Sequence, residues 1–195
     1  MGARSAHSVI ERGFLMEFQT FEEMVQAVST CPNPAEIKKI NTRQNKYIKS
    51  FENVEPTLEM RTEMLAQLIE AVSQEDFKIA PMMLDIRIRD GFLREIWEFS
   101  KYLSDEEMHP IFSGLLRFAT CSTGEVRGQC LTVWAGLHFM VGNLDAIKAV
   151  QGLPEVEDIS LFQLLGIALS HNVPAHVWGA SLEAVSLESC LIGVG

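Results

Sequence analysis

The chain is predicted to be all-α, with about eight helices in antiparallel hairpins and no sheet. Three observations predict it. Apolar residues recur at spacings of three and four in stretch after stretch. Several of those stretches are preceded by Ser, Thr or Asn with Glu three residues further on, the pattern of a capping box. The one alternating run, Leu84 to Ile88, is short and has no second run nearby to pair with.

Met1 to Gly13 is small, polar and without pattern, so residues 1–18 are expected to form a flexible segment. Thr20 with Glu23 opens the first helix, which carries Phe21, Met24, Val25 and Val28 and stops at Pro32. Asn33, Pro34 and Glu36 open a second helix running to about Ser50, with Pro34 in the first turn where its missing N–H costs nothing. Pro56 starts a third, to about Ser73, with Met64, Leu65, Leu68, Ile69 and Val72 on its core side. A short helix after Pro81 and a turn near Asp85 lead to a helix from about Ile88 to Leu103.

Ser104 with Glu107 starts the next helix, in which Pro110 must kink the chain or mark the true beginning. Ser122 with Glu125 is a further capping box. It opens a long apolar-rich helix that ends at Gly142, a residue suited to a left-handed C-cap. A short helix over Leu144 to Val150 follows. Asp158 then caps Ile159 to Leu169, and Asn172 with Pro174 separates that helix from a last one carrying Val177, Trp178 and Leu182. The expected organisation is a single helical domain over 19–187, with a subdivision near 103 as the alternative. Residues 188–195 are an apolar tail with no assigned structure.

Composition excludes several function classes. Hydrophobic residues make up 47%, enough for a packed core. The acidic excess, 26 residues against 16, argues against a general affinity for nucleic acid or an anionic membrane. Cys31, Cys121, Cys130 and Cys190 form no paired spacing, and no secretory signal or long apolar span is visible, so the expectation is a cytoplasmic protein with reduced thiols. Cys130 and His138 lie two helical turns apart and cannot chelate as a close pair, so no metal is expected. No Gly-x-Ser-x-Gly elbow and no phosphate-binding glycine loop is present, so no catalytic residue and no cofactor are expected.

Three polar groups remain as candidates for binding. Lys39, Arg43 and Lys46 align on the one basic helix; nucleic acid could use them, although a solvated helix face is the better reading in so acidic a chain. His171 and His176 straddle a turn. Asp85, Arg87, Arg89 and Asp90 sit at a helix start, with Asp90 within reach of Arg94 or Arg87. This last group reads either as an anion-binding or acid/base site in a crevice or as an ionic cluster that fixes a junction, and the structural reading is preferred.

Trp134, Leu137, Gly142 and Ala146, a long helix followed by a tight turn and a short helix, resemble a tetratricopeptide hairpin. The Gly-to-Ala spacing is one short of that repeat and no second copy lies about 34 residues away, so a repeat array is not expected. A broader resemblance rests on Ile88-Arg89-Asp90 with Phe92 and Leu93 and on the helix ending Trp134 to Gly142 with Asn143 to Ala146. It continues through Leu161, Leu164, Leu165, Ala168 and Leu169 before Asn172-Val173-Pro174 and Trp178. Over roughly 80–185 the chain resembles the C-terminal half of an actinobacterial family known only as domain of unknown function 4192. The resemblance implies a fold and no activity. It also implies that an N-terminal α/β portion of longer members is missing here.

The function expected from all of this is a non-enzymatic interaction or scaffold module that binds a protein partner or self-associates. The alternative is a small-ligand binder or enzyme using a polar crevice around Arg87–Asp90.

Overall fold

A helix with apolar residues on every side has to lie inside, and the stretch from Val126 to Met140 is such a helix. The computed structural model, which describes residues 18–30, 34–51, 54–74 and 76–193, buries every residue of that stretch. The chain order around it is α1 (Phe21–Val28), α2 (Pro34–Phe51), α3 (Leu58–Ser73), a 3₁₀-helix (Phe77–Leu84), α4 (Ile86–Ser100), α5 (Asp105–Thr120) and α6 (Gly124–Met140). Then come α7 (Asp145–Val150), α8 (Pro154–Glu157), α9 (Ser160–Ser170), α10 (Ala175–Glu183) and α11 (Leu187–Ile192). Among the described residues there is no strand, so the class is all-α.

The central helix α6 packs against α4, α5, the 3₁₀-helix and all four of α7, α8, α9 and α10. α3 bridges α4 and α5, and one hydrophobic cluster extends from Phe18 to Leu191 across the junction near residue 103. Phe18, at the edge of the segment expected to be flexible, is buried; the remainder of that segment, 1–17, lies outside the described residues.

The helix count exceeds the expected eight because several short elements have weak periodic signals. The short helix expected to start after Pro81 does not form; Pro81 lies inside a 3₁₀-helix that already begins at Phe77. The third helix begins at Leu58 with Thr57 as its cap, two residues later than Pro56 suggested. Ser104 and Glu107 form the expected reciprocal capping box, and Pro110 lies within α5. The expected box at Ser122 is absent. Thr123 is the N-cap of α6, and Ser122 is buried and accepts a hydrogen bond from Gln44 Nε2 at 2.8 Å. Asp158 is likewise not the cap of α9 but the end of α8, because a four-residue helix intervenes after Pro154. The tail does not remain irregular over its described part. Ser186 caps α11, whose Leu191 is buried against α4. Asn33 and Pro32 lie outside the described residues.

Turn chemistry follows the sequence closely at Gly142. Its φ of +87° is the left-handed conformation that costs glycine nothing, and the Asn143 N–H donates back to the His138 carbonyl at 2.8 Å, closing α6 in a Schellman motif. Asn172, with φ of +52°, ends α9 in the same way through the Val173 N–H and the Ala168 carbonyl.

Two glycines are needed for a different reason. A Cβ at Gly114 of α5 would lie 1.9 Å from the Val72 carbonyl oxygen, and one at Gly128 of α6 would lie 2.0 Å from that of Glu155. These are backbone contacts that no side-chain adjustment relieves. Gly114→Ala or Gly128→Ala is therefore expected to lower the unfolding free energy by about 3 kcal/mol through forced separation of the elements. At Gly166, where nothing lies within 4 Å, alanine should instead stabilise by up to about 1 kcal/mol through helix propensity. Urea denaturation of the three variants checks the difference in sign.

His138 supplies a pH prediction. Its ring stacks on Phe112 at 4.0 Å between centroids and meets the edges of Trp134 and Phe21 at 4.6 and 5.1 Å. Burial, reinforced by the nearby charge of His109, pushes its pKa from 6.5 down to about 3. The unfolded chain therefore binds a proton below pH 6.5 that the folded chain refuses. The stabilising contribution is complete above pH 6.5 and is lost as pH falls toward 3, by up to about 1.4 kcal/mol per pH unit. His138→Phe should remove this slope, so the wild type should lose stability relative to the variant as pH is lowered from 7 to 4.

Candidate functional site

The start of α4 distributes its four charged residues by helical geometry rather than gathering them. Asp85 is the N-cap; its Oδ1 accepts the N–H groups of Arg87 and Ile88 at 2.9 and 3.4 Å. Its Oδ2 takes the Nε of Arg61 at 3.2 Å, and the Arg61 side chain is only 7% exposed. Arg87 points to Glu55, 3.1 Å away at the same edge. Asp85 and Arg87 thus belong to a junction between α3 and α4.

Arg89 and Asp90 face elsewhere. The Nε and Nη2 of Arg89 both reach Asp90 Oδ1, at 2.9 and 2.8 Å, and its Nη1 donates to Gln129 Oε1 at 3.0 Å. The expected partners of Asp90 are not used. Arg94 pairs with Glu95 at 2.7 Å and donates to the Val185 carbonyl, while Arg87 is held by Glu55. Adjacent residues project about 100° apart around a helix, and here a neighbour's long side chain folds back across that angle.

Arg89 lines a crevice of about 580 Å³ between the beginnings of α4 and α6 and the α8–α9 connection. Gln129 of α6 is beside it on the floor, and Glu125, Glu155, Asp158 and Ser160 stand around it. Glu155 is tied down by Arg127, whose Nε lies 3.3 Å from its Oε1. Arg127 is itself buried and donates to the carbonyls of Ala119 and Val28 at the ends of α5 and α1, where helix dipoles favour a cation. Of the four charged residues at the start of α4, only Arg89 lines this crevice.

The other sequence candidates lie apart from it. His171, at the end of α9, and His176, in the first turn of α10, are exposed and do not line it. Lys39, Arg43 and Lys46 are exposed on α2. Among the described residues no group of three or more His, Cys, Asp or Glu is placed to hold a metal ion. Burial pushes the Cys130 thiol up to about 12, which leaves it protonated and unreactive. Nor is any helix of the described residues long and apolar enough to cross a membrane.

The second surface feature is α9. Seven of its eleven residues are apolar and none is charged, yet only Leu161, Leu165 and Ala168 are buried. Leu164 and Ile167 are 52% and 55% exposed, on the same face as Ser160 at the crevice. At the far end of the helix, Ala168 and Leu169 line a second, smaller cleft with Leu144 and Val173.

Sequence reasoning reached Arg89 but not Gln129 or the acidic rim. The available signal was Gln129 itself, an amide within a helix whose neighbours on every side are buried. Against family models, curated proteins and solved structures the chain has no match.

The Asp85 geometry makes its own prediction. Asp85→Ala removes the cap of α4 and leaves the buried Arg61 only its longer, 3.7 Å pair with the exposed Glu55, and should cost about 3 kcal/mol. Asp145→Ala, which removes an exposed pair with Lys148, should cost less than about 1 kcal/mol. Chemical denaturation of the two variants compares them directly.

Proposed function

We propose that this chain is a non-enzymatic interaction module that receives a segment of a partner protein along the outer face of α9. The observation that carries the reading is α9 itself, an uncharged helix whose Leu164 and Ile167 remain about half exposed. A single exposed leucine needs no explanation. Two large aliphatic side chains three residues apart, on a helix with no charge, form a stripe of the kind that amphipathic partner helices cover.

Glu157 and Asp158, exposed just before that helix, favour a partner segment that is basic as well as apolar. A second copy is less suited, since each chain carries a net charge of −10 and two copies repel. In the same reading the helices pair as antiparallel hairpins, with α6 and α7 tetratricopeptide-like. The tight turn at Gly142 and the burial of Trp134, Leu137 and Ala146 support this. Those residues also support membership of the domain of unknown function 4192 family, and the scattered cysteines support a cytoplasmic setting.

The test is capture from native extract followed by reconstitution with the purified partner. Leu164→Lys with Ile167→Lys should leave the melting temperature within a few degrees and weaken the partner at least tenfold, about 1.4 kcal/mol. Equal binding by the double variant, or a monomer that retains no partner, overturns the reading. A dimer seen by light scattering and lost in the variant would assign the face to a second copy instead.

A further inference from the structure

The geometry points to a small-molecule site in the crevice at the start of α6, one that binds a free amino acid with an apolar side chain. The carboxylate would lie on Arg89 and Gln129 and the ammonium group against Asp158 and Glu125. It does not depend on the protein-binding reading, although Asp158 borders both features.

The floor of the crevice is made of donors. Arg89 and Gln129 are 4% and 6% exposed, and both line it. A guanidinium has five N–H groups; the Asp90 carboxylate balances the charge of Arg89, but the bonds to Asp90 and Gln129 leave part of that fork unused as hydrogen-bond donors. Gln129 spends its carbonyl oxygen on Arg89, while its amide N–H₂ has no acceptor among the described residues. That nitrogen is not sealed from solvent, and the crevice it borders is where a ligand can supply an acceptor.

Two helix N-termini open at the same place. Gly124 and Glu125 belong to the first turn of α6, and Ile159 and Ser160 to the start of α9; all four border the crevice. Neither helix has a side-chain cap. Thr123, the N-cap of α6, turns its hydroxyl to Asn41 Oδ1 at 3.0 Å, and the N-cap of α9 is Ile159, which has nothing to offer. Uncapped first-turn N–H groups and the positive ends of both dipoles add to the preference of the floor for an anion.

The rim selects what kind of anion. Glu125 and Asp158 are exposed at the mouth and make no ion pair among the described residues; Glu155 is neutralised by Arg127. A phosphate dianion would be repelled by that pair of carboxylates. A molecule carrying a carboxylate and an ammonium group a few bonds apart satisfies both halves of the site. The volume of about 580 Å³ lies within the range of small-molecule pockets. Ile86, Pro154 and Ile159 give the wall an apolar surface for a side chain.

Isothermal titration calorimetry of the full chain with a panel of free amino acids tests the assignment. At least one with an apolar side chain should give saturable heat and raise the melting temperature. Its N-acetyl and carboxamide derivatives, which lose one charge each, should bind at least tenfold more weakly. Gln129→Glu keeps an acceptor for Arg89 but replaces the free donor with a carboxylate, and should abolish binding without lowering the melting temperature of the unliganded protein. Asp158→Asn, on the exposed rim, should weaken the free amino acid and leave its N-acetyl derivative unaffected. No heat with any free amino acid overturns the proposal. So does equal binding of the N-acetyl derivative, preferential binding of inorganic phosphate, or a Gln129→Glu protein that binds as the wild type does.

Discussion

The rest of the structure depends on the complete burial of α6. Every residue from Val126 to Met140 lies inside, so the elements around it must cover a full cylinder rather than one stripe. That requirement explains why the second half of the chain is so short-jointed. α7, α8, α9 and α10 are brief helices linked by tight turns, and each closes part of the same circumference. Gly128 marks how closely the covering approaches, because it brings the Glu155 carbonyl to a place a methyl group could not share.

Complete burial also forces α6 to settle its own polar residues internally. Arg127 does so by reaching the carbonyl ends of α1 and α5 and the carboxylate of Glu155. It thereby ties the covering to the centre. Thr132 Oγ1, Trp134 Nε1 and His138 Nε2 have no hydrogen-bond partner among the described residues. Each buried orphan costs about 1–3 kcal/mol, so ring packing around His138 and Trp134 has to offset it. The stacked and edge-on contacts of Phe21 and Phe112 are placed to do that. Gln129 is the remaining polar residue, half satisfied by Arg89, and its other half faces the crevice.

Helix class and most helix positions were legible in the sequence because they depend on local spacing and caps. Thr20, Ser104, Gly142 and Asn172 all act where the pattern placed them. The failures have a common cause. Ser122 and Asp158 look like caps but are not: Ser122 is drawn inside to Gln44 and Asp158 ends α8, so the N-cap positions fall on Thr123 and Ile159, neither of which caps with its side chain. The Arg87–Asp90 group was legible as a cluster, yet whether its members converge depends on what lies across from each. Arg61 and Glu55 draw two of them toward α3, and Gln129, forty residues away along the chain, draws Arg89 toward α6. Long-range partners of that kind leave no periodic signal.

The two surface features meet at the start of α9, and the meeting has a physical reason. A helix that begins at an apolar residue such as Ile159, with no side-chain cap, leaves its first N–H groups to solvent or to a ligand. The same apolar character, carried along the helix, leaves Leu164 and Ile167 outside once Leu161, Leu165 and Ala168 have been spent on the core. Nothing in the packing of α6 requires those two outward residues to be aliphatic. Polar side chains there would serve solubility better in an isolated domain. Stability therefore accounts for the inner face of α9 but not for its outer face or its uncapped beginning. Those are the positions on which the two proposed binding readings rest.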